Sequence, residues 1–146
     1  MPKLNLVNPV YRVVDANINR VKEALRVLEE ITRFILNSRS LTAELKNIRH
    51  DVDSLIKPSL KNCHFFYARD TKNDVGRNVH AKGELKRANY TEVFAANIQR
   101  VKESLRVLEE FTKLKDFRLA LKYKELRYKA YELEKKIAGR ILSYKR

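Results

Sequence analysis

Apolar residues recur every three to four positions over two long stretches of the chain, and the two stretches are copies of each other. Residues 16–34 read ANINRVKEALRVLEEITRF and residues 96–114 read ANIQRVKESLRVLEEFTKL, with 14 of 19 positions identical at an offset of 80. In the first copy Ile18, Val21, Leu25, Leu28 and Ile35 fall on one face, which predicts an amphipathic helix. A looser match follows each copy. LKNIRHDVDSL (45–55) lies against YKELRYKAYEL (123–133) at an offset of 78, aligning Arg49 with Arg127. Each half therefore reads as a strong helix, a short turn and a second helix. The predicted fold is all-α: one domain, a helical bundle of two duplicated helix–turn–helix halves (about 12–57 and 89–146) with pseudo-twofold packing. The segment between them, about 58–88, has no counterpart.

End signals refine the elements. Asp15 is placed to cap the first helix and Ser40 the second, which should stop before Pro58. Asn89 with Glu92 three residues on predicts a capping box for the third helix, and Asp116 caps the fourth. The run CHFFYARDTKNDVG (63–76) is neither periodic nor simply polar, and predicts a loop with a short extended piece at Phe65–Tyr67. A connection this long inside one domain points to function.

Composition narrows the chemistry. Three glycines and three prolines argue against a turn-dense β fold, and neither GxxxxGK[ST] nor GxGxxG occurs. Cys63 is the only cysteine, so a disulfide framework and a cysteine-built zinc site are excluded. No apolar run approaches the roughly 20 residues of a membrane span. The start MPKLNLVNPVYRVVDAN lacks a signal-peptide core, so a cytoplasmic protein is expected. The net charge is +14, distributed as +3 over 1–60, +4 over 61–89, zero over 90–114 and +7 over 115–146. Such a surface suits an anionic partner (nucleic acid, a phosphorylated metabolite or an acidic protein), or simply keeps a helical protein in solution.

On a helical wheel Asn17 points into the apolar face, and Arg20 lies roughly 60° to one side. Glu23 and Glu30 sit on that margin, whereas Arg26 and Glu29 point away from the core as ordinary surface pairs. Asn97, Arg100, Glu103, Arg106, Glu109 and Glu110 repeat the arrangement. Two readings stand. The polar residues pair across the pseudo-twofold axis and fix its register, or they line a pocket offering arginine forks to phosphate and carboxylates to a metal. In the loop, Arg69, Asp70, Asp74 and Gly76 suit a lid over a phosphate and its magnesium, or an Asx-type turn in which Gly76 supplies a positive φ. His50, His64 and His80 show no metal-ligand spacing, and Cys63 has no local base. Tyr123, Tyr128 and Tyr131 fit packing better than base stacking.

At DANINRVKEALRVLEE (15–30) and AANIQRVKESLRVLEE (95–110), with ARDTKNDVG (68–76) between them, the chain resembles the hydroxymethylpyrimidine-phosphate kinase family of thiamin biosynthesis. This helical module is also found fused ahead of thiamin-phosphate synthase. The resemblance spans about Arg12 to Glu134, and since no synthase barrel follows, a stand-alone monofunctional form is expected. It implies transfer of the ATP γ-phosphate, with Mg2+, to 4-amino-5-hydroxymethyl-2-methylpyrimidine phosphate, giving the diphosphate. Carried over by position, Arg20, Arg69, Asp74 and Arg100 are the expected catalytic residues. Asn17, Glu23, Arg26, Arg49, Gly76, Asn97, Glu103 and Arg106 are expected to hold substrate or nucleotide. Asp74, Glu23 or Glu103 would bind magnesium. Partners are then small phosphorylated molecules and further copies of the chain in a homo-oligomer. The rival readings are a basic helical nucleic-acid-binding module, which leaves the acidic residues beside the arginines unexplained, and a non-catalytic assembly domain.

Overall fold

The duplicated stretches lie in the first and third of four helices. The computed structural model describes the backbone of residues 2–60 and 65–144, and side chains over 9–55 and 65–144. Helix α1 (Pro2–Glu30) runs into a π-helical turn (Ile31–Ile35), and α2 (Arg39–Leu60) follows. A 3₁₀ turn (Phe65–Ala68) opens the connection to α3 (Tyr90–Thr112), and α4 (Phe117–Tyr144) closes the fold. There is no strand among the described residues, so the all-α expectation is met.

Cross-helix pairs set the directions. Lys22 reaches Asp53 at 2.8 Å and Arg49 reaches Glu29 at 3.0 Å, so α2 runs antiparallel to α1. Lys102–Glu134 and Arg127–Glu109 do the same for α4 against α3. Lys136–Glu44 and Lys129–Asp51 make α2 and α4 antiparallel. Lys115 near the end of α3 donates to the Tyr11 hydroxyl near the start of α1, so those two are antiparallel as well. The helices thus form a ring, α1–α3–α4–α2, in which every neighbour is antiparallel. α2 and α3 therefore point the same way, and their connection must travel the length of the bundle. With 23 residues in α3, that is about 34 Å at the helical rise. The unmatched central segment is long for this topological reason.

The predicted stripes form the core. Val21, Leu25 and Leu28 from α1 and their equivalents Val101, Leu105 and Leu108 from α3 are wholly buried, joined by Leu45 and Val52 from α2 and Tyr123 and Ile137 from α4. Truncating such a leucine to alanine typically costs about 2–5 kcal/mol. Asp15 is not a cap: α1 begins at Pro2, and Asp15 lies mid-helix and buried. Ser38 rather than Ser40 caps α2, its Oγ accepting from the Leu41 amide at 3.3 Å. Helix α2 also runs through Pro58 to Leu60, because a proline this close to a C-terminus removes only one of the last hydrogen bonds. Half of the capping box is present: Asn89 Oδ1 accepts from the Glu92 amide, while the Glu92 side chain reaches one residue past the cap and accepts from the Ala88 amide. Asp116 caps α4 through the Arg118 amide at 2.9 Å. The extended piece expected at Phe65–Tyr67 is instead the 3₁₀ turn, folded inward because Phe65 packs edge-on against Tyr11 with ring centres 5.0 Å apart. Cys63 and His64 lie outside the described residues.

Candidate functional site

Beyond the Phe65–Tyr11 packing, an arginine fork pins the connection from α2 to α3 against α1. Arg69 donates from Nε and Nη2 to the two carboxylate oxygens of Asp15, both at 2.7 Å, a fork on a buried acid. The bond and charge of Asp15 hold the Arg69 pKa above its ordinary value. Asn19 adds a bond to the Asp15 backbone carbonyl, and Arg12 reaches the Asp70 carbonyl at 3.4 Å. Next along the chain, Asp70 accepts from both the amide and side chain of Asn73, which lowers its pKa. Asp74 then accepts the Gly76 amide at 2.9 Å. The Asx-type turn expected at Asn73–Asp74 is therefore present, made by Asp74. Gly76, however, is not at positive φ; the glycine that is, Gly83, lies further along.

The result is a cleft of about 850 Å³ walled by α1, the connection and the end of α3. Asn17, Arg20, Glu23, Arg69, Asp70 and Asp74 line it together, with Val107 and Phe111 as its apolar side. Asn17 is buried and uses its amide nitrogen on the Val13 carbonyl, leaving its oxygen near Arg20 Nη1 at 3.5 Å. The polar residues thus do not pair across the pseudo-twofold axis. Asn97 repeats the bond within its own helix, to Val93. Arg20 is exposed rather than half-buried, and it lines the cleft. Three arginines (Arg12, Arg20, Arg69) face four carboxylates (Asp15, Glu23, Asp70, Asp74), and one ion pair is internal. Such a mixture suits phosphate accompanied by a divalent cation better than bare phosphate.

The other candidates lie elsewhere. Asn97, Arg100, Glu103 and Arg106 are on α3, outside this cleft, with Glu103 accepting from Gln99 at 3.0 Å. Arg106 is engaged by Glu109 and Glu110 at 3.2 and 3.0 Å. Arg26 and Arg49 line a second cleft between α1 and α2, and both bond Glu29. Glu29 and Glu109 correct the wheel: each is buried, and each is held by the arginine of its own second helix, Arg49 at 3.0 Å and Arg127 at 3.1 Å. Tyr123 is core, while Tyr128 and Tyr131 are exposed and share the guanidinium of Arg127.

The chain matches the ThiD2 family over residues 12–136. It belongs to that family. Among its relatives, the thiamine-phosphate synthase of Nostoc punctiforme is 41% identical over 130 residues, covering 89% of this chain and 36% of the relative. That of Rhodopirellula baltica is 42% identical over 134 residues, with the same shares. The ThiD2 chain thus spans about a third of the length of the curated relatives it matches, and those relatives carry the name of a synthase, not of a monofunctional kinase. No solved structure matches it. Among the described residues no helix is long and apolar enough to cross a membrane. Asp15, which anchors the ThiD2 cleft, was hidden in the sequence by its position two residues before the repeated Asn17, where it reads as a cap. One signal could have found it: Asp15 has no counterpart in the second copy, where position 95 is alanine, and neither does the connection it binds.

Proposed function

We propose that the chain is a phosphotransferase of thiamin biosynthesis that moves the ATP γ-phosphate onto 4-amino-5-hydroxymethyl-2-methylpyrimidine phosphate, giving the diphosphate. The family and the synthase relatives support the pathway. The observation that carries the chemistry is the Arg69–Asp15 fork, which brings Arg69 and Asp74 from the connection over Asn17, Arg20 and Glu23 of α1.

The reaction asks little of a base. An oxygen of the acceptor phosphate attacks the γ-phosphorus while the bond to the bridging oxygen of ADP breaks. The acceptor oxygen is already anionic near neutral pH, because a phosphate monoester loses its second proton at about pH 6. The work lies in bringing two polyanions into line, which positioned arginines perform. Arg20 and the N–H groups of Arg69 not spent on Asp15 would neutralise the transferred group. Glu23 and Asp74 would hold Mg2+; the ion supplies charge neutralisation on the phosphate oxygens. No group of three or more His, Cys, Asp or Glu forms a ready-made cage among the described residues. That fits an ion bound through one or two carboxylates together with substrate phosphates, as Mg2+ commonly is.

Incubation with ATP, Mg2+ and either hydroxymethylpyrimidine or its monophosphate, followed by phosphorus NMR, tests the reading. Diphosphate from the monophosphate alone is expected, since the free alcohol lacks the group the arginines bind. Turnover of neither, by folded protein, would overturn it.

A further inference from the structure

We propose that the second cleft, between the end of α1 and the start of α2, is an anion site that takes a polyphosphate group. It encloses about 820 Å³ and is lined by Arg26, Arg33, Arg39, Lys46 and Arg49 against only two carboxylates, Glu29 and Glu30. Glu29 is consumed at its floor by Arg49 and Arg26. Arg33, Arg39 and Lys46 form no ion pair among the described residues, and Arg33 merely overlies the Phe34 ring at 4.8 Å. The start of the 22-residue α2 opens into the same cleft, where Ser38 accepts the amides of Leu41 and Thr42 while those of Arg39 and Ser40 take no partner among the described residues. Unpaired guanidinium forks beside a helix N-terminus form a strong setting for phosphate oxygens.

The duplication supplies an internal control. The second half repeats the floor, with Glu109 held by Arg127 and Arg106. It does not repeat the opening. The offset between halves falls from 80 to 78 across the turn, so the first half carries two extra residues there. They are accommodated by the π-helical turn, closed by the Leu36 amide on the Ile31 carbonyl, and by left-handed Asn37 at φ 50°. In the second half Lys113, the equivalent of Arg33, is neutralised by Glu110 at 2.7 Å, and the equivalent of Arg39 is Phe117. At these two positions the second half thus holds a paired lysine and a phenylalanine where the first holds two unpaired arginines, while Lys46 keeps a cationic counterpart in Lys124.

The test is 15N NMR of the full chain titrated with sodium tripolyphosphate. Saturable shifts of the Ser38–Thr42 amides are expected. A triple variant R33Q/R39Q/K46Q, altered only at exposed positions, should weaken them at least about tenfold. The control K122Q/K124Q/K135Q removes the same charge from exposed positions of α4 and should change them by less than about twofold. Equal weakening in both variants, shifts confined to residues 12–23 and 69–74, or a response to an RNA oligonucleotide without one to tripolyphosphate would each overturn the proposal. Kinase turnover is a separate readout: its absence would leave these amide shifts intact.

Discussion

Glu109 shows how one residue ties an element to the rest of the bundle. It is buried on α3, where Arg127 of α4 and Arg106 of its own helix supply donors to its carboxylate. Burial opposes the charge on Arg127, but its bonds to Glu109 and Tyr131 outweigh that and raise its pKa. Removing one partner strands the other away from water. Glu109→Ala should therefore cost about 3 kcal/mol, read from urea unfolding, and E109L/R127M should recover most of the loss. A full loss in the double variant would show that the pair contributes more than mutual neutralisation. Tyr123 gives a pH signature: burial raises its pKa, so the folded state holds the proton that the unfolded chain releases near pH 10. Its contribution is complete below that value and is lost as pH rises above it. Urea midpoints at neutral pH and above pH 10 should thus differ less for Tyr123→Phe than for the natural chain. The sequence made the Asn17, Val21 and Leu25 face legible because α1 and α3 meet along that single stripe. Glu29 stayed hidden because a wheel registers one buried face, while α2 covers a second flank. The aligned arginines Arg49 and Arg127 were the available hint, since a repeated arginine on a second helix calls for an acid on the first.

Helix ends were legible wherever the chemistry is local. Asn89 with Glu92, and Asp116, supply acceptors to the first amides of their helices, and no distant contact competes with them. Asn89→Ala should accordingly cost about 1 kcal/mol in thermal or urea unfolding; an unchanged midpoint would mean α3 is held by packing alone. The misread ends have a common cause in tertiary structure. α1 extends back to Pro2, and Phe65 folds the connection inward onto Tyr11. The cap of α2 moves from Ser40 to Ser38 because the two added residues of that turn are absorbed by a π-helical turn and a left-handed asparagine. Neither has a periodic signature. From Thr71 to Asn89 every residue of the connection is exposed, Val75, Val79 and Leu85 included. This stretch owes its place to its two ends, the Arg69 clamp and the Asn89 cap, and Asp15→Asn should loosen the first. Amide exchange over residues 66–74 should then speed up while that of α3 stays unchanged; equal exchange in both proteins would show the clamp is dispensable.

The duplicated chain folds into a bundle that is symmetric in its core and asymmetric in its clefts. Asn17 and Arg20 share a cleft with Val107 and Phe111, and this register puts Ala24 opposite Ser104, both buried, near the middle of the α1–α3 crossing. The same register carries Asn97 and Arg100 to the opposite end of the crossing, alongside Val27 and Ile31. A single connection between the halves can cover only one of the two ends. It covers the first, because Asp15 exists only there. The two arginines, indistinguishable in the repeated motif, should therefore differ in use. Arg20→Ala and Arg69→Ala should each lower kcat/KM for the phosphorylated pyrimidine at least about tenfold, the loss of one charge-assisted contact to the transferred group. Arg100→Ala should change it by less than about twofold, as befits an exposed side chain outside the cleft. Circular dichroism of each variant checks that the bundle is intact. Should Arg100→Ala prove as damaging as Arg20→Ala, the end of the crossing near Arg100 must be completed by something other than this chain's own connection. A second copy would be the first candidate, and a concentration-dependent activity would reveal it.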